Sequence, residues 1–584
     1  MWIKTSKQYR EETSRKISWG HWFAFFNILW AIILGARYAF IMDWPDTLFG
    51  KLYFFISLLG HFSFVVFALY LLFIFPLSFL IKNDRTFRGI TVILTTIGAT
   101  LLLVDSEVFS RFNLHLSTVV WNLLVNPENG ELSRTWQIFF APMPLILLVQ
   151  MVFSRWSWQK LRSLERQKWL KGVGVFFVCT FIATHLIYAW ADAFIYRPIT
   201  MQRSNFPLSY PMTARSFLEK HGFLDKQEYD QIIEQQGRLD ALKINYPKQK
   251  LTFATSQTPN MVLITVSGLR HDAIDEKHMP HLTAFANQST QFTNHYSSGN
   301  DNNTGLTGLF YGLSAHYVDS LLSNKTASIL VEKLKQEHYE LGLFSSTQFH
   351  SSLFRQALFP TLTLATRNTS NQLETARFKT WFAQIKDKNT PFAAYLSLNI
   401  RPNLAKADYQ LELAEIDRLL GTILPEIELN KTLVVITAEH GYHFKPLNAK
   451  ALLHYFGRDE IQVPMVIHWK DLPAGKVSNL TSHMDLLPAV MKHIFHAQNP
   501  ISDYSQGRDL FQLTQPADWV LVSNYRWNVI ITPDGTQYHI DKRGTYQKYN
   551  QENQKESSDR PPLGLFLEVF NQERSFIENN EKLH

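Results

Sequence analysis

The chain has 584 residues, 46% hydrophobic, 14% aromatic and 18% charged, with a net charge of +7. That length exceeds one ordinary domain, and the single cysteine, Cys179, excludes a disulfide framework. The basic residues cluster beside apolar stretches, which argues for membrane topology and against nucleic-acid binding.

A helix needs about 20 mostly apolar residues to cross a bilayer core. Five stretches are expected to do so: Trp19–Ile41, Leu52–Leu80, Gly89–Val104, Trp136–Phe153 and Gly172–Phe194. The third is short and ends at Asp105. None shows the polar stripe of a soluble amphipathic helix. The first run is too long for the apolar core of a secretory signal and lacks a small-residue cleavage site.

Charge sets the orientation. Lys4, Lys7, Arg10, Arg15 and Lys16 precede the first stretch, and Lys82, Arg85 and Arg88 follow the second. Arg155, Lys160, Arg162, Arg166, Lys168 and Lys171 follow the fourth. The alternate loops hold Asp43, Asp46, Glu107, Glu128 and Glu131, with only Arg111 and Arg134. Basic loops stay in the cytoplasm, so five crossings would export everything after Phe194; in a Gram-negative bacterium that compartment would be the periplasm. Asn27, His61 and His185 lie inside the stretches, and helix–helix hydrogen bonds are expected of them rather than an ion path.

Residues 195–250 read as a juxtamembrane linker and helix. Tyr196, Arg197, Arg203, Phe206, Tyr210 and Arg215 are interleaved with Pro198, Pro207 and Pro211, which interrupt any helix. Aromatics favour headgroup depth and guanidinium forks bind phosphates, so these six residues form either a general interface belt or a lipid site. Residues 213–235 have helical periodicity and are expected to pack against the soluble domain.

From Met261 onward apolar runs alternate with helical stretches. Strands are expected at Met261–Val266, Glu340–Phe344, Phe392–Leu398, Thr432–Ile436 and Val463–Ile467, with helices at Thr326–Glu337, Tyr409–Leu424 and His483–Phe495. That pattern predicts a mainly parallel sheet covered on both faces over residues 251–515. Residues 516–584 read as a small antiparallel appendage and tail, turning at Pro533-Asp-Gly, with a flexible polar stretch at Asn550–Arg560.

Ligands of such sheets sit beyond the carboxyl ends of the strands, which directs attention to Ser267–Asp272, Ser298–Thr304 and Thr437–Gly441. At these segments the chain resembles the alkaline phosphatase/sulfatase superfamily. From end to end it resembles the inner-membrane YejM family, also called PbgA or LapC. The strings Ser18-Trp-Gly-His-Trp-Phe-Ala-Phe-Phe-Asn27, Asp105-Ser-Glu-Val-Phe109, Tyr196-Arg-Pro-Ile-Thr-Met-Gln-Arg203, Pro207-Leu-Ser-Tyr-Pro-Met-Thr-Ala-Arg215 and Ser505-Gln-Gly-Arg-Asp509 carry that likeness.

The resemblance implies an N-terminal transmembrane domain of five helices over residues 1–194 and a periplasmic α/β domain of alkaline phosphatase/sulfatase type. Working superfamily members pair an acidic metal ligand after the first strand with a hydroxyl or modified-cysteine nucleophile and a later Asp-His pair. Carried over, the acid falls on Ser267, the nucleophile on Asn302 and the pair on Glu439 and His440. Ser267 is a poor ligand and Asn302 cannot form a covalent intermediate, so turnover is not expected. Asp272, Thr304 and Asp301 are the stand-ins to consider. Glu439 and His440 form either a vestigial divalent-metal site, for Mg or Mn, or a hydrogen-bonded pair. His443, His454 and His468 are expected to be hydrogen-bonded residues.

The family further implies a regulator of outer-membrane lipid balance that senses lipopolysaccharide through its lipid A phosphates. It would restrain LapB, the adaptor that delivers LpxC to the protease FtsH, through its transmembrane helices. Cardiolipin binding or transport and metal-dependent phosphatase or phospho-group transfer are the alternatives. Relatives often carry a second arginine after the one matching Arg215; here it is Ser216.

Overall fold

In a computed structural model of the chain, the described residues are 6–42, 44–112, 114–117, 120–121, 140–254, 258–364, 367–386, 388, 390–444, 451, 453–513, 515–541, 546–556 and 563–577. Two compact units divide between Asp230 and Gln231.

The first unit is helical: α1 (Ser6–Gly35), α2 (Leu48–Leu69), α3 (Asp84–Phe112), α4 (Met143–Gln159) and α5 (Trp169–Ala193). Among the described residues four stretches are long and apolar enough to cross a membrane, Gln8–Phe40, Leu48–Leu80, Asp84–Ser110 and Trp169–Ala193. The count therefore differs from the expected five. The fourth predicted stretch begins in residues 136–139, outside the described ones, and α4 itself has 17 residues. The third is longer than expected because Asn83 caps it, its side-chain oxygen accepting from Arg85 N at 2.8 Å and Thr86 N at 3.2 Å.

Outward faces of the unit are apolar, with Leu72, Leu145 and Val175 exposed. Inside, Trp19 is fully buried, stacked on Phe23 at 4.8 Å and donating from Nε1 to Ser157 Oγ at 2.9 Å. Gln150 Nε2 donates to Asn27 Oδ1 at 2.6 Å, so Asn27 makes the helix–helix hydrogen bond expected of it. His61 and His185 bond instead to the connecting segment, at Pro207 O (2.8 Å) and Met212 N (3.0 Å).

One end of the unit gathers basic residues from two places in the sequence. Arg15 pairs with Asp84 at 2.6 Å, and the guanidinium carbons of Arg15 and Arg88 lie 4.4 and 4.7 Å from the Trp158 ring centroid. Lys16 is buried and donates to Ser78 O at 3.2 Å and Ile81 O at 2.6 Å, capping the short helix Phe75–Leu80.

The connecting segment corrects two expectations. Pro198 does not prevent a helix, because it sits in the first turn of Arg197–Thr200, where its missing N–H costs nothing. Residues 213–235 are not one helix but two, α6 (Arg215–Lys220) and α7 (Lys226–Gln236). Gly222, at φ +75°, stops the first, and Asp225 starts the second by accepting from Gln227 N at 2.8 Å. The first of these packs on α5, within the helical unit.

The second unit is built on a seven-stranded sheet of order β4-β5-β1-β6-β7-β2-β8. Its strands are β1 (Asn260–Ser267), β2 (Thr290–Phe292), β4 (Glu340–Ser345), β5 (Phe392–Asn399), β6 (Thr432–Thr437), β7 (Met465–His468) and β8 (Gly475–Val477), with β3 (His295–Tyr296) and β9 (Thr481–Ser482) paired separately. The pairs β4–β5, β5–β1, β1–β6 and β2–β8 are parallel, while β7 runs antiparallel to both neighbours.

Val262, Ile264 and Val266 of β1 point to one face with period two, where α8 (Pro280–Asn287), α11 (Asn371–Ile385) and α12 (Lys406–Gly421) supply Phe285, Phe378 and Leu413. On the other face α9 (Asn302–Tyr311), α10 (Ile329–Gln336) and α13 (Leu486–His493) supply Leu306, Val331 and Val490. Each such buried side chain contributes roughly 1.5–3 kcal/mol.

An antiparallel sheet of five strands follows: β10 (Val520–Ser523), β11 (Trp527–Ile531), β12 (Gln537–Asp541), β13 (Tyr546–Tyr549) and β14 (Lys555–Glu556). The stretch beginning at Asn550, expected to be flexible, forms the last turn as far as it is described. Asn550 N donates to Gln554 O at 3.0 Å, and Gln554 N to the Asn550 side chain at 2.9 Å. Its residues 557–560 lie outside the described ones.

Candidate functional site

At the carboxyl ends of three adjacent parallel strands, hydroxyl groups converge on one carboxylate. Glu439, just past β6 and 2% exposed, accepts at Oε1 from Thr265 Oγ1 (2.8 Å), Tyr395 OH (3.1 Å) and Ser397 Oγ (3.4 Å). Its Oε2 accepts from Ser267 Oγ at 2.7 Å. Register makes this possible: Thr265 of β1 is level with Ser397 of β5 and Thr437 of β6. Four hydroxyl donors replace the compensation a metal ion would give a buried carboxylate. Burial, and then the charge of Glu439, holds the Tyr395 phenol well above its ordinary pKa, so it remains a donor.

Asn302 opens α9 beside this cluster, with Ser267 Oγ 3.5 Å from its Oδ1. The proposed stand-ins are engaged elsewhere. Asp301 is the N-cap of α9 and accepts from Thr304 N at 2.9 Å, while Thr304 Oγ1 accepts from Asp301 N at 3.0 Å and donates back to Asp301 O at 2.9 Å. That capping box fixes both side chains, and Thr304 is 5% exposed. Asp272 is held bidentately by Arg270, both contacts 2.8 Å, which lowers its pKa. Helix α9 lies so close to Glu439 that a Cβ on Gly305 would come within 2.2 Å of Glu439 O.

His440 turns to a different partner. Its Nδ1 lies 2.9 Å from Gly441 O and 3.1 Å from Glu460 Oε1. Burial alone would lower its pKa, but the hydrogen bond and charge of Glu460 outweigh that and push it up to about 9. With Ser267 neutral, Glu439 already accepting from four hydroxyls and no three His, Cys, Asp or Glu residues converging among the described residues, the set does not fit a divalent metal. His443 bonds Asp459 at 2.6 Å, His454 accepts from Trp527 Nε1 at 2.8 Å, and His468 lies 3.1 Å from Gln288 O. All three are hydrogen-bonded, as expected.

The second group lies in the helical unit. Arg215 Nε forms an ion pair with Asp192 Oδ2 across 2.8 Å, and its guanidinium carbon sits 5.4 Å from the Tyr229 ring centroid. Asp192 is 2% exposed, whereas the arginine side chain is 45% exposed, so a buried carboxylate anchors an open cation. Arg203 and Tyr210 are exposed and Arg197 is half-buried. Tyr196 OH donates to Thr47 Oγ1 at 3.0 Å. Phe206 departs from the expected surface group: it is 4% exposed, stacked on His61 at 5.7 Å and edge-on to Tyr38 at 5.8 Å. Its apolar ring is worth more in that interior than at an interface.

Sequence reading missed Thr265, Tyr395, Ser397, Glu460 and Asp192. A signal existed for the first three. Polar hydroxyls recur two residues apart near the ends of otherwise apolar strands, at Thr265/Ser267 and Tyr395/Ser397, which places each pair on one face.

The fold and the first site together define a membrane-helix protein bearing an α/β domain of alkaline phosphatase/sulfatase type. Residues 368–496 match the family described as Sulfatase, and residues 6–253 match a domain of unknown function, DUF3413. The chain is 63% identical over 584 residues, 99% of itself and 100% of the relative, to an uncharacterized protein of Haemophilus influenzae. It is 43% identical over 587 residues, 98% of itself and 99% of the relative, to the inner membrane protein YejM of Salmonella typhimurium. The chain belongs to the YejM family of inner membrane proteins.

Among solved structures, one of a Vibrio parahaemolyticus protein in the alkaline phosphatase superfamily is 14% identical, with a TM-score of 0.44 over 61% of this chain and 98% of that one. The lipoteichoic acid synthase LtaP of Listeria monocytogenes is 12% identical, with a TM-score of 0.41 over 56% of this chain and 96% of that one.

Proposed function

We propose that this chain is a non-catalytic inner-membrane regulator that binds lipopolysaccharide through the lipid A phosphates. In this reading it restrains LapB- and FtsH-dependent degradation of LpxC. The observation that carries the lipid reading is Arg215, an open guanidinium anchored 2.8 Å from buried Asp192 at the end of α5. Fixing one edge of the fork lowers the entropy lost when the other binds a phosphate. Arg197 and Arg203 lie on the same segment and add charge. A degenerate hydrolase pocket fits this role, because Asn302 supplies no nucleophile and Glu439 is already engaged by four hydroxyls.

The topology that goes with it has five crossings, a cytoplasmic N-terminus and a periplasmic α/β domain. Meeting of Arg15, Asp84, Arg88 and Trp158 supports it, since α4 then ends on the same side as the basic N-terminal arm. The 17 residues of α4 rise roughly 25 Å, a little under one hydrocarbon thickness. The helices are the surface offered to the LapB-type adaptor.

Lipopolysaccharide carried through purification, quantified for the parent and for Arg197→Ala with Arg215→Ala, tests the lipid reading. Loss of about tenfold is expected, and unchanged content overturns it. A β-galactosidase fusion at the C-terminus tests the topology; an active fusion would place that end in the cytosol and defeat the proposal.

A further inference from the structure

We propose that the helical unit also holds a site for the ammonium headgroup of an aminophospholipid, in the cavity between α2, α5 and the connecting segment. This site does not use the arginines and stands independently of the lipopolysaccharide reading. Its polar walls include Ser57 and His61 of α2, Thr184 and His185 of α5, and Gln202 of the segment.

The protons of Ser57, His61, Thr184 and Gln202 are already committed. Gln202 is 5% exposed, and its Nε2 donates to Gly50 O and Pro198 O, both at 2.8 Å. Those two bonds fix the amide orientation and leave Oε1 buried, without a hydrogen-bond partner among the described residues. The Ser57 hydroxyl donates to Phe54 O at 2.9 Å and the Thr184 hydroxyl to Thr180 O at 2.8 Å, so each turns lone pairs to other neighbours. His61 Nε2 donates to Pro207 O at 2.8 Å, which makes Nδ1 an acceptor.

The acceptors of Gln202, Ser57, Thr184 and His61 favour a guest that donates, and a primary ammonium offers three donors in about the volume of a water. Tyr53 and Phe181 also line the cavity, and aromatic faces favour a cation. His185 supplies the complementary group. Its Nδ1 accepts from Met212 N at 3.0 Å, so Nε2 keeps a proton, the donor that a phosphate next to an ethanolamine ammonium requires. A buried acceptor left unmet costs free energy, and the ammonium removes that cost at Gln202.

The test is native mass spectrometry of the full chain in phosphatidylglycerol nanodiscs that also contain phosphatidylethanolamine or phosphatidylcholine in equal share. Phosphatidylethanolamine should be retained about tenfold over phosphatidylcholine, whose quaternary nitrogen has no proton to donate. Ser57→Ala with Thr184→Val removes acceptors without changing shape and should erase that preference. Equal retention of both lipids by the parent, or a preference untouched by this double variant, leaves water as the occupant and overturns the proposal. Displacement of the lipid by millimolar free ethanolamine would assign the cavity to a soluble amine and overturn the lipid source.

Discussion

Ser267 donates its hydroxyl to Glu439 across 2.7 Å, closing a network of four hydroxyls around a buried carboxylate. Parent protein with added Mn²⁺ should therefore hydrolyse p-nitrophenyl phosphate no faster than Glu439→Gln. Ser267→Ala should lower stability by about 1–3 kcal/mol, because one oxygen of a 2% exposed carboxylate loses its donor. Denaturant titration of the full chain measures the second effect. Phosphatase activity in the parent that disappears in Glu439→Gln would restore the enzyme reading.

Asp192→Asn should weaken lipopolysaccharide retention by roughly three- to tenfold while leaving every arginine in place. The carboxylate holds Arg215 at 2.8 Å, and without its charge the guanidinium samples other rotamers before it meets phosphate. Comparing Asp192→Asn with Arg215→Ala separates orientation from charge. Unchanged retention in Asp192→Asn would mean that the anchor does not orient the arginine for the lipid.

What could be read from the chain depended on whether the signal was local. The strands at Met261–Val266, Phe392–Leu398 and Thr432–Ile436 were legible because each is a short apolar run with turn residues at its ends. The antiparallel direction of β7 was not, since periodicity carries no sign along the chain. Residues 213–235 read as one helix because apolar spacing survives across Gly222, although the backbone there adopts φ +75°. Phe206 was assigned to the surface for its basic neighbours, whereas its burial depends on His61 and Tyr38, far away in sequence. The substitutions at Ser267 and Asn302 were visible from motif position alone. The four-hydroxyl shell around Glu439 was not, because it needs the register of three strands.

The C-terminal sheet should make stability pH-dependent through His539. This side chain is 4% exposed, its ring 4.3 Å from that of Tyr549 and 5.5 Å from that of Phe456, and burial pushes its pKa down to about 3. The folded value lies below the unfolded value of about 6.5, so the unfolded chain takes the proton first. Stability is thus full above pH 6.5 and falls as pH drops toward 3, by about 1.4 kcal/mol per unit. At pH 5 the cost is on the order of 2 kcal/mol. The shift of the denaturant midpoint between pH 7 and 5 should be smaller in His539→Phe than in the parent, the remainder coming from His295 and His483, which burial also depresses. Equal slopes in both proteins would show that other groups set the acid response.

Lys16 offers a check on how the basic end of the helical unit is held. Its ammonium is 2% exposed and reaches the carbonyls of Ser78 (3.2 Å) and Ile81 (2.6 Å), which the end of the Phe75–Leu80 helix leaves unpaired. Lys16→Met keeps the stem and removes all three donors. Two buried carbonyls then lose their cap, at about 1–3 kcal/mol each if no other donor reaches them, and the short helix should fray. Hydrogen exchange at residues 77–82 should rise by at least tenfold in Lys16→Met and stay unchanged in Lys16→Arg, whose guanidinium can reach the same oxygens. Arg15, one residue earlier and paired with Asp84 on the exposed side, is the internal control. Arg15→Met should leave that exchange within about twofold of the parent, because an exposed ion pair is worth at most about 1 kcal/mol.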